Sequence, residues 1–302
     1  MSGKGRDGAM IAGMIVAWSI FYAVSKRMVD LTGSPFAAGV LLRMSALLFL
    51  TLQLVADGHF TALFHQGRSV LILVVIGVFG FLLDLFANLG YAGGTLSTGT
   101  ALLKTDVLMV NLITVAVYHR KLYLSDWLGS LIMLLGVLLV LGLDVDSFSF
   151  RPADLFFLLS ALCVTVNAFL IKAAQEKHGR DTDSISYYNN LTVLILFGLF
   201  SWARGDLRAV DPSAIPHFWG LVLLGGLAQT CIYFFYYRNL KRHEVWVVKL
   251  WLLLMPVVSC LIGVLFLGEI LTVRKILGVG VVLLGAAVIL LRGKLNEKKA
   301  EA

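Results

Sequence analysis

Ten apolar runs, each long enough to cross a bilayer, divide this chain at roughly 8–27, 36–56, 69–90, 96–118, 123–143, 153–175, 185–204, 215–237, 243–267 and 272–292. Crossing the hydrocarbon core takes about 20 residues as helix. No water is there to satisfy backbone N–H and C=O groups, so the bonds must close within each segment. The expected fold is therefore an all-α polytopic membrane protein of ten transmembrane helices. Only 14% of the 302 residues are charged and 59% are hydrophobic, whereas a soluble domain carries about 25% charge. The turns are short, that between the third and fourth runs being little more than Ala92-Gly93-Gly94. No room is left for a separate soluble domain.

A formal charge of +7 could point to nucleic acid, but the basic residues gather in the turns between runs, so the charge is read through topology and no nucleic-acid partner is expected. With the N-terminus cytoplasmic, fifteen Lys and Arg fall on the cytoplasmic side and seven on the other, the remaining three of the 25 lying inside runs. Basic residues are retained on the cytoplasmic side, so both termini are expected there. Cys163, Cys231 and Cys260 all lie inside apolar runs and read as small buried residues.

The chain repeats itself. Leu128-Gly129, followed by Gly136, recurs as Leu277-Gly278, followed by Gly285, at an offset of 149 residues. The same offset pairs Asp84 with Tyr233, Asn88 with Tyr237 and Val107 with Pro256, and an offset of 147 pairs Arg43 with Asn190. The halves are 8–143 and 153–292, followed by a basic tail, 293–302. Five helices per half is an odd number, so the halves must insert in opposite orientations. Inverted repeats mark transporters that open alternately to the two sides.

Phe266-Leu267-Gly268-Glu269 with Leu271-Thr272, the Gly278/Gly285 helix, Pro256 in LLLMPVVS and the stretch YHRKLYLSDWLGSLIMLLGVLLVL resemble the EamA family of the drug/metabolite transporter superfamily. The resemblance covers both halves. It implies a ten-helix secondary transporter of the bacterial inner membrane, similar to the aromatic amino acid exporter group, and it is the source of the expectation of export. The first half departs from the pattern, with Arg120-Lys121 where Gly-Glu is usual and Asp106-Val107 where a proline is usual.

Five ionisable residues interrupt the runs: Arg43, Asp84, Lys104, Asp106 and Lys249. A charge at the centre of a spanning helix costs about 2.5–3.5 kcal/mol on insertion, so each should meet a partner, water or a ligand. On a continuous helix Lys104 shares a polar stripe with Ser97, Thr100, Asn111 and Thr114, facing a transport path, while Asp106 turns toward a neighbouring helix and needs a partner such as Arg43 or Lys249. Arg43 can hold a carboxylate through two parallel hydrogen bonds, whether of a substrate or of Asp84 or Asp106. Asp84 shares a face with Gly77, Gly80, Asn88 and Tyr91 and is the first candidate for proton coupling, with Asp106 the second. Lys249 either lines the cavity or extends to the interface.

Trp18, Tyr22, Tyr187, Asn190, Tyr233 and Trp251 are candidate aromatic or polar lining residues, joined by Asn167. Tyr236 and Tyr237, near the end of their run, suit an interfacial belt. No HExxH, GxSxG or phosphate-binding loop occurs, and the six histidines fall in loops or at helix ends. Neither enzyme activity nor a cofactor is expected. The expected partners are the lipid bilayer, a small-molecule substrate and protons, with a monomer plausible. The favoured activity is secondary transport of a small polar or zwitterionic metabolite such as an amino acid. The rivals are export of organic cations and intramembrane lipid processing.

Overall fold

The computed structural model describes residues 3–65, 70–118, 124–141, 151–209, 215–270 and 272–300. Among them all regular structure is helical: α1 (Gly3–Thr32), α2 (Pro35–Ala56), α3 (Val70–Gly93), α4 (Leu96–Leu103), α5 (Asp106–Tyr118), α6 (Leu124–Leu141), α7 (Pro152–Glu176), α8 (Thr182–Arg204), α9 (Asp206–Ala209), α10 (Ile215–Arg242), α11 (Val245–Trp251), α12 (Met255–Leu267) and α13 (Val273–Ala300). Among the described residues six stretches are long and apolar enough to cross a membrane: Gly8–Thr32, Pro35–Ala56, Val70–Gly93, Pro152–Glu176, Phe218–Arg242 and Val245–Leu267. The surface inverts the soluble pattern. Leu71, Trp202, Phe266 and Ile270 are over 70% exposed, while all five ionisable residues that interrupt the apolar runs are buried. A contiguous apolar exterior around a charged interior suits lipid, not water.

Local chemistry places the helix ends. Ser34 caps α2, its Oγ accepting from the Phe36 and Ala37 amides at 3.2 Å, and Pro35 follows at a position where a missing N–H costs nothing. Asp181 caps α8 through the Ser184 amide at 2.7 Å. Gly205 closes α8 and Gly268 closes α12 with φ of +76° and +66°, left-handed values that glycine adopts without steric cost.

The packing follows the internal repeat. α1 packs on α10, α2 on α10, and α4 on α12. Exchanging the halves converts these contacts into α7 on α3, α8 on α3, and α11 on α5, all of which occur. The pairs α2–α8 and α6–α13 map onto themselves and are in contact too. The self-mapping pairs run antiparallel. Phe36 stacks on Phe200, while further along α2 Arg43 meets Asn190, earlier in α8.

In the α6–α13 pair the glycines set the distance. A Cβ on Gly136 would lie 2.6 Å from the Val282 nitrogen and 2.8 Å from the Gly278 carbonyl oxygen. One on Gly285 would lie 2.6 Å from the Gly129 oxygen and 2.7 Å from the Met133 nitrogen. The repeated glycines thus let two backbones touch, reciprocally about an axis between the halves. Small residues at helix contacts are the usual means of close approach in a membrane, where no hydrophobic force joins helices.

The fourth run differs from expectation. It is not one helix but two, α4 and α5, separated by Lys104 and Thr105. The Lys104 and Thr105 amides donate at 3.0 Å to Ala101 and Leu102, three residues back, and Thr105 Oγ1 donates to the Leu102 carbonyl at 2.8 Å. These tighter bonds displace the regular four-residue ladder. The ninth run breaks at the matching place, where α11 passes through a 3-10 turn, Leu252–Leu254, into α12. There Pro256 stands in the first turn of α12 and has no N–H to continue the ladder.

Candidate functional site

The inner faces of α1, α2, α3, α7, α8 and α10 line a small, partly open cavity. Arg43 stands in its wall and organises the polar part. Its Nε donates to Asp84 Oδ2 at 2.8 Å and its Nη2 donates to the same oxygen. Its Nη1 donates to the Tyr233 hydroxyl at 2.6 Å and to Asn190 Oδ1 at 3.3 Å. The Asn190 amide returns a hydrogen bond to the Arg43 carbonyl at 3.1 Å. The Phe21 ring lies 5.5 Å from the guanidinium carbon, within cation–π range.

The repeat explains which groups meet here. Arg43 and Asn190 are repeat partners, and so are Asp84 and Tyr233, which flank Arg43 together. Residues equivalent under a two-fold relation touch only where they lie close to its axis, so the guanidinium sits near the centre of the pseudosymmetric body. The remaining lining is aromatic and amide. Trp18 meets Tyr236 edge-on with centroids 4.7 Å apart, Tyr233 meets Tyr237 at 5.2 Å, and the Asn189 Nδ2 donates to the Tyr237 hydroxyl at 2.5 Å. Asn167 Oδ1 is buried without a partner among the described residues. Such a wall offers aromatic faces to an apolar portion and a guanidinium, a carboxylate and amides to a charged or polar head.

The structure brings Arg43, Asp84, Trp18, Asn167 and Tyr233 together on this cavity. Asn190 stands immediately behind Arg43, and Tyr22 packs between Trp18 and Tyr91. The other candidates lie elsewhere. Tyr187 packs on Phe60, and Trp251 on His243. The polar stripe expected around Lys104 is dispersed, because helical periodicity does not carry across the break. Thr100 bonds back to the Leu96 and Ser97 carbonyls, Asn111 reaches Ser130 on α6 at 3.3 Å, and Ser97 donates to Glu269. Lys249 does not extend to the interface. It is fully buried and donates to Asp106 Oδ2 at 2.9 Å. Lys104, also buried, lies in the same neighbourhood and outside the cavity lining.

The structure moves one expected group and gives a task to another residue. Tyr236 and Tyr237 are buried cavity residues, not a belt, because α10 continues past them to Arg242. The pairing of Tyr237 with Asn88 across the repeat was the available signal. Glu269, read only as part of a motif, has a definite task. It accepts from the Leu96 amide at 2.5 Å and the Ser97 amide at 3.1 Å, capping the N-terminus of α4 across the two halves. A carboxylate there meets both the open N–H groups and the positive end of the helix dipole.

The EamA-like transporter family matches this chain at residues 8–142 and 151–291. The chain belongs to that family. Both halves carry the match, in register with the packing described above, and the protein is a multi-pass membrane transporter. It is 24% identical over 217 residues to an uncharacterized transporter of Archaeoglobus fulgidus, covering 71% of this chain and 75% of the relative. A solved crystal structure shares the fold with a TM-score of 0.68 over 95% of this chain and 99% of its own, at 19% identity.

Proposed function

We propose that this EamA-like protein is a secondary active exporter of a small polar or zwitterionic metabolite, such as an amino acid, working by alternating access. Ten spans in two inverted five-helix repeats, with both termini in the cytoplasm of a bacterial cell, form the frame. The antiparallel pairing of repeat-related helices and the basic-residue asymmetry support it. The observation that carries the substrate reading is Arg43: a buried guanidinium near the axis between the halves, in a cavity wall, with a carboxylate and a tyrosine hydroxyl as its partners. A zwitterion can exchange into that pair, its carboxylate taking the guanidinium and its ammonium taking Asp84, so neither buried charge is stranded. The aromatic wall then holds the apolar portion of the substrate.

Counterflow in proteoliposomes tests this. Vesicles preloaded with unlabelled amino acids should accumulate the same labelled compounds saturably, and Arg43→Met should abolish the signal. Competition by tetraphenylphosphonium alone, with no amino acid effective, would replace the zwitterion reading by organic-cation export.

A further inference from the structure

A second cluster of charge lies behind the cavity wall. Lys104, Asp106 and Lys249 are all buried, and none lines the cavity. Lys249 and Asp106 neutralise each other through the bond between Nζ and Oδ2 at 2.9 Å. The second carboxylate oxygen, Asp106 Oδ1, is buried and has no partner among the described residues. Lys104 has no side-chain hydrogen bond or ion pair among the described residues either, although the charges of Asp106 and Lys249 both act on it. The net charge of the cluster is therefore that of Lys104 alone: positive with its proton, zero without it.

The position of Lys104 adds to this. It stands at the two-residue break, with α4 before it and α5 after it. α4 is tied at its far end to Glu269, which follows α12, whereas α5 is tied at its first residue to Lys249 on α11. The two sides of the break thus answer to different anchors, and relative motion of those anchors alters the distance between Lys104 and Asp106. The cluster contains both halves of an interaction it does not make here: among the described residues, a lysine without an ion pair and a carboxylate oxygen without a donor.

We propose that Lys104 is the proton-binding group of this protein, taking up one proton when the break brings it to Asp106 Oδ1 and releasing it when the break carries it away. On release one N–H bond of the ammonium breaks, the electron pair stays on Nζ, and the proton passes to water. Uptake is the reverse, and no other bond changes. The Lys249–Asp106 pair remains charged throughout. The groups facing Lys104 are Asp106 from α5 and Lys249 from α11; from the other elements Tyr236 of α10 sets its ring 5.7 Å from the Lys249 nitrogen, Tyr22 of α1 feels the Asp106 charge, and Thr165 of α7 donates to the Asp106 carbonyl at 3.3 Å. Asp84 belongs to the cavity, where Arg43 already holds it, which removes it as the first choice for this role. The coupling of this proton to transport rests on the transporter reading; the proton site itself does not.

Hydrogen–deuterium exchange of the full chain in lipid nanodiscs, at about pH 6 and about pH 9 with exchange normalised for intrinsic rate, tests the site without a known substrate. Protection of residues 96–118 should change between the two pH values in the native chain. Lys104→Met and Lys104→Arg should each lose that change, leaving two different fixed patterns. If the methionine variant does not fold, the arginine variant alone decides, since its charge is permanent. An unresponsive native segment, or a pH response that survives in Lys104→Arg, overturns the proposal. So does a response that disappears when chloride is replaced by gluconate, since that would make the ligand an anion. A failed counterflow assay with this response intact would count against transport and not against the proton site.

Discussion

Arg43 and Asn190, 147 residues apart and equivalent in the two halves, hydrogen-bond each other in both directions: guanidinium to amide oxygen at 3.3 Å, amide nitrogen to backbone carbonyl at 3.1 Å. This contact ties the repeat to the site, because only groups near the axis between the halves can meet their own counterparts. Asn190→Leu removes the second donor to the Arg43 carbonyl, which keeps its bond within α2, and one acceptor from the guanidinium. A hydrogen bond lost in this way costs about 0.5–1.5 kcal/mol. A lowered thermal midpoint in detergent is the expected outcome, and an unchanged one would place the contact outside the folded core.

The Arg43–Asp84 pair separates a structural role from a functional one. Asp84→Leu or Arg43→Met alone strands a buried charge, at a cost of about 3–5 kcal/mol. The double variant strands none and should be more stable than either single one. Its counterflow should nevertheless be absent. Thermal unfolding of all three, beside transport by the double variant, checks both points; a double variant that still transports would leave the pair with packing alone.

Glu269 should behave as a helix cap that happens to lie in the other half of the chain. Oε1 of Glu269 accepts from the Leu96 amide and Oε2 from the Ser97 amide, so Glu269→Gln keeps one acceptor, turns the other into a donor and loses the charge, and a stability loss of about 0.5–2 kcal/mol is expected. Glu269→Lys, which sets a cation against the N-terminus of α4, should cost more. Denaturation in mixed micelles ranks the two, and equal losses would argue against the dipole account.

The glycines of α13 provide a contrast within one helix. Gly285 abuts the α6 backbone, whereas nothing lies within 4 Å of a Cβ placed on Gly280. Gly285→Leu should part α6 from α13 and prevent a monodisperse preparation. Gly280→Ala should be silent, or slightly stabilising by about 0.5–1 kcal/mol as glycine entropy is removed from a helix. Size-exclusion profiles and thermal midpoints suffice to tell them apart.

The apolar runs and the repeat were legible because they rest on local length and on spacing. Gly129, Gly136, Gly278 and Gly285 had to recur at one offset if two helices were to touch reciprocally, and the offset could be read without coordinates. Arg43 and Asp84 were identifiable as groups that had to find partners, since charge in an apolar run is costly wherever it lies. The face assigned to Lys104 was not legible. It assumed about 100° per residue through the whole of 96–118, and the bonds made by Lys104 and Thr105 interrupt that rotation. Thr105, able to bond its own backbone, was a weak signal for the break; Pro256 was a strong one in the other half.

The sequence by itself determined the class of fold, the family and the need for buried partners, because hydrophobicity, repeat spacing and the cost of buried charge are properties of composition and order. Which carboxylate met which cation was decided by the tertiary structure. Arg43 could have taken Asp84 or Asp106, and Asp106 could have taken Arg43 or Lys249. The crossing of α2, α3, α5 and α11 assigned Asp84 to Arg43 and Asp106 to Lys249 and left Lys104 beside them, because an ion pair depends on distances between helices and no spacing along one helix contains them.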